Sequence, residues 1–481
     1  MLPWRVMTLI WMLWGCKEPV TEVIPAEDGS LTLRLVNPTT CSWCDAFAEL
    51  DEMRIDVEQD GVVVASDTFA WPAESLGLPA LDGFGVVRVR VYGVGEGFVV
   101  SYGQTPEIAL GPGQKLDVAM LFAPVNLALP VSSNMRAGRS QAATVTLRDG
   151  RVLIAGGYEG NRTGVLSSVE LYDPATGAFG DAPYSLPVPL AGSIVVGVDT
   201  GERFFVGGAS TAEGTRSAEG VMFIEEEGTM ESVRPMNRAR AGPCVSQFRG
   251  DQAMVLGGHE DDAAHGDFLR ISPDDGEWNF KDQPFSDFDE AKVSSCAPLV
   301  DGRTAVQGTS PQSTGIWAYS EENVGAVDPE TAFLATPPMD PGAGAAFVLG
   351  ASIVGLADGD AWVGGGVDPL SGQLAEAREL RAASVRFDPA DALPRARAWG
   401  ELMALDDVGN MAWGCGWRDA AQSTPLANVE FFNVETGALG PTVELVDVRR
   451  GCDLAVLADG AILVVGGALE PTAELIVPYT R

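Results

Sequence analysis

The stretch 142–157, AATVTLRDGRVLIAGG, contains a strand, a turn and a second strand that ends in two glycines. Ala142–Leu147 is apolar-rich. Arg148-Asp149-Gly150-Arg151 carries the Asp-Gly chemistry of a tight hairpin, and Val152–Ala155 runs apolar into Gly156-Gly157. Downstream, Ser168–Tyr172 reads as a third strand. Asp173-Pro174-Ala175-Thr176-Gly177 supplies a fixed φ at Pro and a free φ at Gly, and Phe179 opens a fourth strand. The unit is a four-stranded meander of about 50 residues.

The unit recurs. Glycine marks close apolar runs at Gly207-Gly208, Gly257-Gly258, Gly308, Gly364-Gly365, Gly414 and Gly466-Gly467. Asp-Gly hairpins return at Asp301-Gly302, Asp358-Gly359 and Asp459-Gly460, and downstream aromatics at Phe223, Phe268, Trp278, Trp317, Tyr319 and Phe431. This pattern resembles the kelch repeat, and the resemblance covers 126–481 and implies a seven-bladed β-propeller. The last unit reaches only a third strand, Ala473–Val477, so a segment at 127–131 is expected to supply the fourth and close the ring.

Between residues 30 and 123 short runs alternate apolar and polar with period two, as at Leu31–Val36, Met53–Val57 and Val86–Tyr92. That is the mark of half-buried strands and predicts a β-sandwich, immunoglobulin-like or prealbumin-like. The fold class expected is therefore all-β, a sandwich followed by a propeller. Ahead of it, Arg5 and the apolar run Val6–Trp14 have the form of a signal peptide over 1–16. Leu13-Trp14-Gly15-Cys16 resembles the lipobox of bacterial lipoproteins, although Trp14 replaces the small residue usual there. The resemblance implies acylation of Cys16, and Lys17 favours the outer membrane or cell surface as destination. Polar, Pro-containing 17–29 then reads as a flexible tether.

A net charge of -36 excludes nucleic acid as a general partner and leaves the lipid as the sole membrane contact. Seven cysteines minus Cys16 leave six, an even number for an oxidising compartment. The repeat frame pairs Cys244 with Cys296 and Cys415 with Cys452 on adjacent blades, leaving Cys41 with Cys44 as a local bridge.

In a four-stranded meander the loops after second strands and between blades share one end of the ring, so ligand contact is expected there. The largest are Tyr158–Ser167, Val367–Leu380 and Trp417–Asn428. Arginines cluster before the first strands: Arg136 and Arg139, Arg238 and Arg240, Arg395 and Arg397, Arg449 and Arg450. Arg139, Arg240, Arg397 and Arg450 are candidates for a collar binding carboxylate, sulfate or acidic glycan through bidentate hydrogen bonds. The competing reading has these arginines bracing the blades. His259 and His265 share one loop with four carboxylates, but the spacing matches no established metal signature, so no metal and no cofactor is expected. Galactose oxidase, the enzyme on a kelch propeller, draws its copper-binding histidines from separate parts of the ring. That arrangement has no counterpart here. The expectation is a binding or scaffolding module for a protein or glycan. The alternative is a glycan-acting enzyme with carboxylate catalysis in the central pocket.

Overall fold

The computed structural model describes strands at 9–11 and 20–23, residues 30–73, 85–258 and 397–479 with short interruptions, and chiefly the strands between 265 and 389. The fold is all-β and built of many small sheets, nearly all antiparallel. Among the described residues no helix is long and apolar enough to cross a membrane.

Two sheets form the N-terminal part. One orders Leu9–Trp11, Val20–Val23, Ser30–Val36 and Lys115–Leu121, the last pair parallel; Val20–Val23 falls inside the stretch expected as a tether. The other orders Ala123–Pro124, Phe98–Gln104, Gly85–Gly95, Glu52–Gln59 and Val62–Ala70. Alternation decides what they bury: Leu31 and Leu33 from the first sheet meet Met53, Ile55, Val57, Val87, Val89 and Val91 from the second in one apolar core.

From residue 128 onward come seven small sheets of three or four described strands. The unit read first from the sequence is Ala143–Thr146, Val152–Ala155, Val169–Asp173 and Ala178–Asp181 in consecutive antiparallel order. First strands neighbour one another in succession: Ala143–Thr146, Ile194–Gly197, Cys244–Phe248, Lys292–Pro298, Leu349–Gly355, Glu401–Ala404 and Asp453–Val456, the last again beside the first. In the seventh sheet Ala128–Pro130 pairs with Ala473–Ile476, Leu129 opposite Leu475.

Consecutive sheets are joined through the glycine marks. The residue four places before a first strand turns its carbonyl onto the second glycine of the preceding sheet. Gly157 N–H donates to Leu190 O at 2.8 Å, Gly208 to Arg240 O at 2.9 Å, Gly366 to Arg397 O at 2.8 Å and Gly467 to Arg139 O at 2.7 Å. A Cβ on Gly156, which sits at φ +64°, would lie 2.2 Å from Leu190 O, so only glycine allows this approach. In the fifth sheet the left-handed pair is Gly365-Gly366, one residue beyond the expected mark, and in the sixth it is Cys415-Gly416.

The three expected disulfides are present. Cys41–Cys44, Cys244–Cys296 and Cys415–Cys452 have Cα separations of 5.1, 5.6 and 5.6 Å, the last two joining neighbouring sheets.

Candidate functional site

The arginine collar is turned inward. Arg139, Arg240 and Arg397 are at most 1% exposed, and the fourth member of the register is Arg449, at 0%, with Arg450 exposed beside it. Each guanidinium ties the segment before its sheet to that sheet's second strand. Arg139 Nη1 donates to Gly156 O at 2.8 Å, Arg240 to Gly257 O at 2.6 Å, Arg397 to Cys415 O at 3.0 Å and Arg449 to Gly466 O at 2.8 Å. Buried carboxylates on third strands meet them too: Glu170 for Arg139, Glu430 for Arg397 and Glu474 for Arg449. These contacts favour the reading in which the buried arginines brace the sheets. A fully buried guanidinium held by backbone carbonyls and a buried carboxylate is closed to solvent, and its partners are architectural.

Two further acids lie among the first strands, where sequence reading nominated none. Glu401 and Asp453 open the first strands of the sixth and seventh sheets. Each accepts a backbone N–H of the next sheet, Glu401 from Leu454 and Asp453 from Ala142. Burial pushes the Glu401 carboxyl up to about 8, against the Leu454 hydrogen bond, and holds Asp453 well above the usual range with Glu401 adding to it.

The open space is elsewhere, at the opposite end of the small sheets from the glycine marks. The second N-terminal sheet keeps Ile55, Val89 and Val91 on its core face. Its other face carries Arg54, Asp56 and Glu58 on Glu52–Gln59, then Arg88, Arg90 and Tyr92 on Gly85–Gly95, then Tyr102 and Gln104 on Phe98–Gln104. Such a face reads as solvated in sequence. In the fold it looks toward the hairpin turns of the sixth and seventh small sheets, leaving a cleft of about 1320 Å³.

The walls are joined firmly. Leu121 and Ala123 share an apolar core with Leu129, Leu457 and Leu475. Asn126 exchanges hydrogen bonds with the Tyr479 backbone, both at 2.9 Å, and Val125 N–H reaches Val100 O at 3.1 Å. Tyr479 packs its ring 5.5 Å from Tyr102 and 6.3 Å from Tyr92.

Within the cleft Arg54 lies 4.0 Å over the Tyr92 ring and 3.3 Å from Asp56. Arg90 pairs with Glu58 at 2.8 Å, and Arg88 approaches Glu107 at 3.7 Å. These side chains remain 30 to 40% exposed, Arg54 meeting Asp56 through its Nε. Asp459, on the opposite wall, is pushed up to about 6 by burial, against the hydrogen bond from Ala461 N–H. The surface combines planar donors, carboxamides and tyrosine rings on a rigid frame, a composition suited to orienting a polar ligand.

Of the remaining expected sites, Cys16 and His259 lie outside the described residues, as does the side chain of His265. Among the described residues no three His, Cys, Asp or Glu side chains gather as metal ligands would.

No protein-family model matches the sequence. No curated protein matches it either. Among solved structures the chain is similar to a fungal alcohol oxidase of the AA5 family in complex with copper. The two share 12% identity over 82% of this chain and 68% of that one, at a TM-score of 0.40.

Proposed function

We propose that the chain is a secreted envelope protein, lipid-anchored through Cys16 at the outer membrane or cell surface. In it an N-terminal sandwich and a seven-bladed kelch-type propeller together form a binding or scaffolding module for a protein or glycan. Support for a closed ring comes from the succession of neighbouring first strands, the Gly467 to Arg139 hydrogen bond and the pairing of Ala128–Pro130 with Ala473–Ile476. Three disulfides suit an extracytoplasmic compartment.

The observation that carries the binding reading is the cleft between the polar sheet face and the hairpin turns. A glycan-acting enzyme is the second reading, favoured by the acid pair Glu401 and Asp453. Both carboxylates, however, accept a neighbouring sheet's N–H, which suits fastening better than proton transfer to a ligand. Hydrogen–deuterium exchange of the chain with and without solubilised envelope material tests the location. Protection at 88–104 and 456–461 is expected. Protection confined to 158–167 and 417–428 would return the site to the loop end of the ring, and none at either place would leave a scaffold without a binding cleft.

A further inference from the structure

We infer that the cleft takes a neutral oligosaccharide, an inference that rests on reading the cleft as the binding site. Three observations converge on that chemistry. First, the cleft carries no excess of positive charge. Arg54, Arg88 and Arg90 face Glu107, Asp406 and Asp459 within the lining, while Asp56 and Glu58 neutralise two of the arginines from beneath. On a chain of net charge -36, such a site gives a polyanion no attraction to offset long-range repulsion.

Second, the arginine side chains on this wall remain 30 to 40% exposed and Glu107 is exposed beside them, so hydrogen-bond donors and acceptors both face the cleft. Sugar hydroxyls accept from guanidinium N–H and donate to carboxylates such as Glu107, so they suit a wall that mixes both. Third, Tyr102 and Tyr479 bring apolar ring faces beside these donors, matching the alternating apolar and hydroxylated surface of a pyranose.

An extended peptide fits less well. Strand addition needs an unpaired sheet edge, and the cleft is walled by a sheet face and by hairpin turns. The volume of about 1320 Å³ exceeds the ~300–1,000 Å³ of ordinary small-molecule pockets, so several sugar units fit rather than one.

The test is titration calorimetry of the full secreted chain carrying Cys16→Ser with three probe sets. These are neutral hexose and N-acetylhexosamine oligosaccharides, uronate- or sulfate-bearing oligosaccharides, and extended peptides. Neutral oligosaccharides are expected to bind with little salt dependence. Arg88→Gln should weaken binding about tenfold, the loss of one charge-assisted hydrogen bond, and Tyr479→Ala should weaken it as well. Arg88 is partly exposed and only loosely paired, so its variant should keep the parent unfolding temperature, which is measured alongside. Binding of acidic oligosaccharides alone, collapsing with salt, or of peptides alone overturns the inference while the cleft remains a binding site. Neutral oligosaccharides that bind equally to the folded Arg88→Gln variant overturn it as well. No binding in any set, together with no exchange protection by envelope material, defeats both readings.

Discussion

Glu474→Gln should destabilise the fold far more than its size implies. The Glu474 carboxylate is 1% exposed and accepts Arg449 Nε at 2.9 Å, Val446 N–H at 2.7 Å and Asp447 N–H at 3.3 Å. It also faces Arg449 Nη2 at 2.8 Å, and Arg449 is itself fully buried. An amide in its place turns an N–H₂ toward at least one of these donors and leaves the guanidinium only the partly exposed Asp447, at 3.8 Å, as counter-charge. Removing one partner of a buried pair costs about 3–5 kcal/mol. At roughly 2.1 cal/mol/K of unfolding entropy per residue across 126–481, that corresponds to a fall in Tm of ~4–7 °C. Differential scanning calorimetry of Glu474→Gln beside Arg450→Gln provides the comparison, because exposed Arg450 should shift Tm by under ~1 °C. The double change Arg449→Met with Glu474→Leu should recover part of the loss, since an apolar pair needs no desolvated charge. Equal melting of the two single variants would refute the claim that these arginines fasten the sheets.

A second expectation concerns pH. Glu401 titrates near 8 in the fold against 4.5 unfolded, and Asp453 is raised with it, so the native state holds extra protons. Their contribution is complete below about 4.5 and lost as pH climbs through about 8, so wild type should melt lower at pH ~8.5 than at pH ~5. Glu401→Gln should lessen that fall by an amount of order 1–3 kcal/mol after discounting for partial exposure. A wild-type Tm that rises across the window would contradict the assignment. A third concerns the anchor: Cys16→Ser should abolish incorporation of labelled palmitate and move the protein from the membrane fraction to the soluble one. An unlabelled wild type would dismiss lipidation.

The repeated unit was legible because its signals are local. Period-two runs, Asp-Gly turns and glycine marks all act within about ten residues, and glycine is required wherever a backbone passes too close for a Cβ, as at Gly156 beside Leu190. The cysteine pairs followed from the same frame. The arginines were visible as a repeated position, but not their direction. Whether a guanidinium faces a ligand or a buried glutamate depends on where Glu170, Glu430 and Glu474 come to lie, 25 to 33 residues downstream.

The cleft had no local signature. Alternation at Arg54, Asp56, Arg88 and Arg90 promises only that one sheet face is polar, and such faces usually meet water. What sets this one apart is that Tyr479 and the turn around Asp459, more than 300 residues away, are brought opposite it. The shared packing of Leu121, Leu129 and Leu475 and the Asn126–Tyr479 hydrogen bonds hold them there. Strand identity and repeat length are encoded in nearest-neighbour chemistry and can be read residue by residue. The pairing of two distant polar surfaces arises from the burial of apolar residues elsewhere, so it emerges only when the chain has packed.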